Sequence, residues 1–308
     1  MIFQWISHPA LRPYERLMMV LFEMGMVTLE DLSVVMGYTE KRVFKIYQQV
    51  QNTLAKDKVD KLKHELTAIE VDSSLNDEQK VSQSKEIKKK IKKEKSRWTK
   101  SSRQITENRG STSRVYSLGP KGVEYCLGIM NERGSWDIKD GQMYHYIGVN
   151  GILTRLINHY GRDNFNWYFS REATDIIIRT WEIIRKNEWS KDPKLAVKEK
   201  REIIRPDGLL VMDNQMYWME FDNDTERSKQ IIQKYREYRN TIVPKYAENL
   251  NAPVLWVTKT ERRRDSLANN WEMVKEEYYS DAKVQQMYFF VEGEETEWLE
   301  KRHSTART

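Results

Sequence analysis

Apolar residues recur at helical spacing early in the chain and turn to strand-like runs after about position 160. Leu11, Tyr14, Leu17, Met18, Leu21 and Phe22 predict a helix over 9–24, opened by Pro9 and stopped by Gly25. Thr28 is placed to cap a short helix over 29–36, and Gly37-Tyr38 breaks it. Thr39 caps a longer helix over 40–54, with Val43, Phe44, Ile46, Tyr47 and Val50 on its inner side. Further on, Ile152, Leu153, Leu156 and Ile157 predict a helix over 149–160 that Gly161 stops. Apolar runs predict strands over 165–170, 202–212, 216–221, 253–258 and 287–291. Helices are expected over 225–240, capped by Thr225, and over 263–279. Residues 175–187 fit helix or strand, Asp192-Pro193 interrupts whatever they form, and the tail reads as polar.

A short helix, a tight glycine turn and a longer helix make a helix-turn-helix pattern. Lys41, Arg42, Lys45, Gln48 and Gln49 then decorate the outer face of the longer helix. Segments 102–107 and 113–118 predict a hairpin around Asn108-Arg109-Gly110, a wing bearing Arg103, Arg109 and Arg114 for phosphates or a minor groove. The junction Leu118-Gly119-Pro120-Lys121-Gly122 resembles the one that ends many winged-helix domains, and a closing helix is expected over 123–130. Between the longer helix and the wing lies a lysine-rich insertion, 56–100, without glycine or proline. It reads as two charged helices reversing near Ser73–Asp77, or as a solvated arm.

Composition narrows the partners. The 308 residues have room for two domains: a winged helix over 1–130, a linker over 131–147, and an α/β domain over 148–308. A net charge of +6 favours an anionic partner, here double-stranded DNA. The single cysteine, Cys126, excludes an internal disulfide and a thiolate zinc site. No apolar run approaches the ~20 residues of a membrane helix, so a cytoplasmic protein with no membrane partner is expected.

The densest chemistry lies in Arg205-Pro206-Asp207-Gly208 and the strand ending Glu220-Phe221-Asp222. Alternation puts Glu220 and Asp222 on one face of their strand. A hairpin through Asp213-Asn214-Gln215 sets Asp207 across from them. Three converging carboxylates repel unless protons or a cation neutralise them, and an oxygen-rich site suits Mg²⁺ or Mn²⁺. The opposing reading makes them structural partners of Arg205, Arg227 or Lys229.

The order helix, three strands, helix, strand, with Pro206-Asp207 and Glu220 in these places, resembles the PD-(D/E)XK nuclease superfamily. That resemblance implies metal ligation by Asp207 and Glu220, and a lysine two residues after the glutamate. Asp222 stands there instead. Lys234, one turn from Tyr238, is the preferred replacement for that lysine, ahead of Lys229. More narrowly, Arg205-Pro206-Asp207-Gly208, Glu220-Phe221-Asp222, Thr225-Glu226-Arg227-Ser228 and Lys234-Tyr235-Arg236-Glu237-Tyr238 resemble the replication-relaxation family of plasmids and other mobile elements.

The fold class expected is therefore α+β: a winged helix with a charged helical insertion, then a PD-(D/E)XK-like domain with a central mixed sheet. Two functions stand. One is a Mg-dependent DNA endonuclease or nickase using Asp207, Glu220, Asp222 and Lys234, with the three carboxylates as metal ligands. The other is a non-catalytic initiator, adaptor or regulator that meets replication or mobile-element proteins; a homodimer is open in either case. A weaker third is an unrelated transcription factor whose acidic strand is structural. The few histidines, among them His145 and His159, form no cluster in sequence, so a tyrosine-nucleophile mechanism is not expected.

Overall fold

The computed structural model describes residues 2–103, 114–132, 140–242, 245–276 and 285–304. The chain divides into two compact units, Gln4–Tyr146 and Met1–Phe3 with Ile147–Thr308.

The chain starts with α1 (Ile2–Ser7) and α2 (Pro13–Met24). The single helix expected over 9–24 is thus shorter. Pro13 has no N–H to donate and disfavours helical geometry in the residue before it, so it fits only at the start. β1 (Met26–Thr28) leads into α3 (Leu29–Met36), where the Thr28 hydroxyl accepts from the Asp31 amide. Gly37 ends α3 with φ +65°, a left-handed conformation that glycine adopts without a Cβ clash. The Thr39 hydroxyl caps α4 (Glu40–Leu54), whose buried stripe is Val43, Ile46, Tyr47 and Val50.

The insertion forms two helices, α5 (Lys56–Val71) and α6 (Asp77–Ser96), and Asn76 caps the second. They pack along one another as a hairpin, yet Val59 and Ile87 are their only buried side chains. β2 (Thr99–Arg103) and β3 (Arg114–Leu118) then pair antiparallel, and β1 adds to the far side of β3. α7 (Pro120–Ile129) closes this unit. The root of the arm is tied: Gln51 of α4 donates to the Thr99 hydroxyl of β2 at 2.9 Å. Tyr47 meets Tyr116 edge-on at 4.9 Å, joining α4 to β3.

The second sheet has five strands in order β4 (Phe165–Phe169), β5 (Gly208–Met212), β6 (Gln215–Asp222), β7 (Val254–Thr258) and β8 (Met287–Val291). The first two pairings are antiparallel and the last two parallel, so the sheet is mixed. α8 (Met143–Tyr160) precedes it and starts six residues before the expected 149. Residues 175–187, open between helix and strand, fall in α9 (Ser170–Ile184) and the start of α10 (Lys186–Lys191), and α11 (Pro193–Glu202) follows. The strand expected from 202 therefore starts only at Gly208, because α11 holds Glu202 and Pro206 cannot donate to a ladder. α12 (Ser228–Ile242) bridges β6 and β7, and α13 (Glu261–Glu276) bridges β7 and β8. Thr225 does not cap α12; its hydroxyl donates to Asn223, and the Gln230 side chain accepts from the Arg227 amide. The polar tail is a helix, α14 (Glu294–Ser304), with Leu299 buried.

Alternation along the strands builds two cores. Trp218, Trp256, Leu209 and Val254 pack with Ile177 of α9, Tyr235 and Tyr238 of α12 and Leu267 and Trp271 of α13. On the opposite face Tyr217 meets Trp298 and His303 of α14 edge-on. No helix among the described residues is long and apolar enough to cross a membrane.

Candidate functional site

The hairpin turn sets the register of the site. Asp213 and Asn214 have φ of +47° and +59°, the left-handed pair of a two-residue type I′ turn. The loop is one residue shorter than the 213–215 expected, since Gln215 already pairs with Met212. Gly208 then faces Met219, and Asp207 falls opposite Glu220. The Asp207 amide donates to the Met219 carbonyl at 3.0 Å, and its carboxylate accepts from the Phe221 amide at 2.8 Å. Asp207 is thereby strapped to β6 on both sides of Glu220. Gly208 permits this close packing: a Cβ there would lie 2.8 Å from the Trp167 ring.

Glu220 is fully buried on the face that α12 covers. Lys234 donates to its Oε2 at 2.6 Å, and the Tyr238 hydroxyl donates to its Oε1. One helical turn separates these two donors, so one face of α12 grips both oxygens. The Lys234 ammonium also lies 5.3 Å from the ring centre of Trp256, the register partner of Glu220 on β7. Burial pushes the Glu220 carboxyl well above the ordinary glutamate value; Asp207 adds to that push, while Lys234 and Tyr238 oppose it. For Lys234, burial alone lowers the pKa. The fields of Glu220 and Asp207 overcome it and raise the ammonium above its ordinary value. Burial and the Glu220 charge also raise Tyr238. The Lys234 side chain is 20% exposed, so the pair reaches solvent on the lysine side.

Asp222 shares the strand face of Glu220 but has a different partner. Arg263 of α13 donates through Nε and Nη2 to its two oxygens, at 3.2 and 2.7 Å. The Asp224 amide adds a third hydrogen bond at 2.6 Å, and Arg263 also donates to the Glu226 carbonyl. Asp222 and Arg263 thus form a buried fork that joins the end of β6 to α13. Of the cations weighed as partners for the acidic strand, Lys229 is exposed at the start of α12, and Arg205 and Arg227 are exposed. Arg263 lies 41 residues from Asp222, and no local spacing pointed to it.

The described residues hold no group of three or more His, Cys, Asp or Glu side chains arranged for a metal ion. Two carboxylates, Asp207 and Glu220, do face each other beside a cation. Mg²⁺ commonly takes only one or two carboxylates, with water and substrate phosphate completing its shell. That two-carboxylate set fits such an ion, since a divalent cation offsets the burial and repulsion that raise Glu220. Asp222 is held instead by Arg263, through both of its oxygens. His159 is on the surface, 3.3 Å from Glu300.

In the other unit Lys41, Arg42, Lys45, Gln48 and Gln49 are all exposed along α4. Arg42 lies 3.9 Å over the Tyr38 ring. Arg103 and Arg114 are register partners at the open ends of β2 and β3, and Arg114 is exposed. Arg109 lies outside the described residues.

A family model described as Replication-relaxation matches residues 95–255, just over half of the chain. The match runs from the end of α6 through β2, β3 and the hairpin of the site to β7. No curated protein and no solved structure matches the chain.

Proposed function

The chain belongs to the replication-relaxation family, and we propose that it is a cytoplasmic DNA-binding protein of a plasmid or other mobile element that nicks DNA with the help of a divalent cation. In this reading residues 1–130 form a winged helix. Support comes from the order α2, β1, α3, α4, β2, β3, α7 and the antiparallel β1-β3-β2 sheet. α4 enters a major groove with Lys41, Arg42, Lys45, Gln48 and Gln49, and β3 brings Arg114 to the backbone.

The second unit is read as PD-(D/E)XK-like, supported by the order α8, β4, β5, β6, α12, β7, with α9, α10 and α11 set between β4 and β5. The observation that carries the catalytic reading is Lys234 at 2.6 Å from Glu220. It returns a cation to a site whose strand has Asp222 in the lysine position. Asp207 and Glu220 would hold Mg²⁺ or Mn²⁺, which polarises a scissile phosphate and lowers the pKa of bound water. Lys234, kept protonated by both carboxylates, stabilises the negative charge that builds on the phosphate. Tyr238 fixes the Glu220 side chain by donating to its second oxygen.

A specific observation favours the non-catalytic alternative. Glu220 is fully buried and both its oxygens already have donors, as does each oxygen of Asp222. A charge-compensated centre of this kind also serves as a scaffold for DNA or a replication partner. Relaxation of supercoiled plasmid with Mg²⁺ or Mn²⁺ decides between them. Nicking lost in Asp207→Ala and in Lys234→Ala supports the nickase. Binding without nicking, unchanged by either substitution, leaves the scaffold.

A further inference from the structure

The chain's positive charge is concentrated on one stretch. Lys85–Arg97 holds eight Lys and Arg against two Glu, a net +6 that equals the formal charge of the whole protein. Lysines four apart, such as Lys85 with Lys89 and Lys88 with Lys92, repel along α6. The apolar seam of the arm does little to offset this, with Val59 and Ile87 its only buried side chains. A simply solvated charged helix would spread its cations around its surface. Here cations of both helices converge. Lys58 and Lys61 of α5, Lys90 and Lys93 of α6, and Arg97 just after it line one groove of about 620 Å³, with Leu62 among them.

Two acids share that groove and do not cancel it. Glu94 is paired with Lys121 and Arg97, both at 3.2 Å, which leaves Glu65 among the lysines. The arm also has a telling position in the chain. It leaves at the end of α4 and returns into β2, the two elements read above as touching DNA. Helices of 16 and 20 residues are about 24 and 30 Å long at ~1.5 Å per residue. The longer one matches roughly nine base pairs at ~3.4 Å each. Residues 56–94, which supply every lining lysine of the groove, lie outside the family match.

We infer that the α5–α6 groove is a second phosphate-binding surface, seating the backbone of double-stranded DNA that flanks the segment contacted by α4. This rests on the DNA-binding reading of the same unit. Its contribution is to affinity and footprint length and not to sequence choice, because lysines on a phosphate backbone carry no base readout.

The test compares three full-length proteins on a plasmid-derived duplex: the native chain, Lys58→Gln with Lys61→Gln and Lys93→Gln, and a control with Lys191→Gln, Lys194→Gln and Lys198→Gln. Both triples remove three charges, and glutamine preserves helix propensity. Each groove lysine on a phosphate contributes about 0.9 to the slope of log affinity against log salt, so the groove triple lowers the slope by about 2.7. The affinity lost between about 50 and 200 mM salt then shrinks roughly fortyfold. The nuclease-protection footprint also shortens on one side, and the control keeps the native slope and footprint. A groove triple that matches the control overturns the inference, whatever protein partner the arm then proves to hold. Arg42→Glu with Lys45→Glu separates the two levels. If those changes and the groove triple all leave binding unchanged, the DNA-binding reading of the whole unit fails. If only the α4 changes weaken binding, the groove inference alone fails.

Discussion

Lys234 and Glu220 sit 2.6 Å apart in a nearly closed environment, and the two side chains form a buried ion pair. Removing the lysine strands a buried carboxyl beside Asp207. Lys234→Met should destabilise the second unit by about 3–5 kcal/mol, the usual effect of breaking a buried pair from one side. The double variant with Glu220→Gln should recover a large part of that, because no buried charge is left unpaired. Urea unfolding of the single and double variants measures the coupling. Additive losses would mean that the two groups do not meet.

Asp222 and Asp207 should separate cleanly in function. Asp222→Asn weakens its fork with Arg263 and should lower stability by about 1.5–3 kcal/mol, as for a hydrogen bond to a charged group. Plasmid nicking at a temperature where the variant is folded should persist. Asp207→Asn should do the reverse, with little loss of stability and nicking abolished. Equal loss of nicking in both would return Asp222 to the reacting centre.

A pH-dependent contribution comes from the other end of the same unit. The Glu199 carboxylate accepts from Arg185 at 2.8 Å and from the Trp189 indole at 2.7 Å. The Arg185 hydrogen bond, set against partial burial, holds its pKa below the ordinary glutamate value. Its stabilisation is therefore complete above the unfolded glutamate pKa of about 4.3, and it disappears as pH falls through the lower folded value. Chemical unfolding should show the native protein more stable than Glu199→Gln near neutrality, with the difference closing only in that acid window. The Trp189 indole N–H resonance, assigned with Trp189→Phe, should shift over the same range.

The I′ turn offers a stabilising change. Asn214 sits at φ +59°, where glycine has no Cβ penalty, and Asn-Gly or Asp-Gly is the preferred pair for this turn. Asn214→Gly should raise stability by up to about 1 kcal/mol. Asp213 is left in place because its carboxylate lies 3.0 Å from His303 Nδ1. A rise in melting temperature with unchanged nicking is the expected result; a fall would show that the Asn214 side chain has a role of its own.

Much of this architecture can be read from residue order. The buried stripe of α4, its Thr39 cap and the β5–β6 pair follow from spacing, because each is a local pattern, whereas the lysine-rich insertion reads either as two helices or as a solvated arm. Lys234 is singled out through the family resemblance, as a lysine one turn from Tyr238 on the helix after Glu220; the structure adds the hydrogen bonds of both to that carboxylate. What escaped was non-local. α14 has few apolar residues and holds its place partly through Glu295, fully buried against Arg155 at 2.7 Å, a pairing across 140 residues. Residues 170–184 carry three consecutive isoleucines, Ile176, Ile177 and Ile178, which suit a strand as well as a helix. Packing of Ala173 and Ile177 against the sheet decides for helix. Arg263 belongs with these: an arginine forked onto an aspartate leaves no periodic trace.

The bond from Gln51 to Thr99 has a consequence for how such a chain can change over time. It ties the two stems of the α5–α6 arm together at their base, so the spacing of α4 and β2 is set there and not at the far end of the arm. Whole helical turns can be added to or trimmed from the far end without disturbing the sheet or α4.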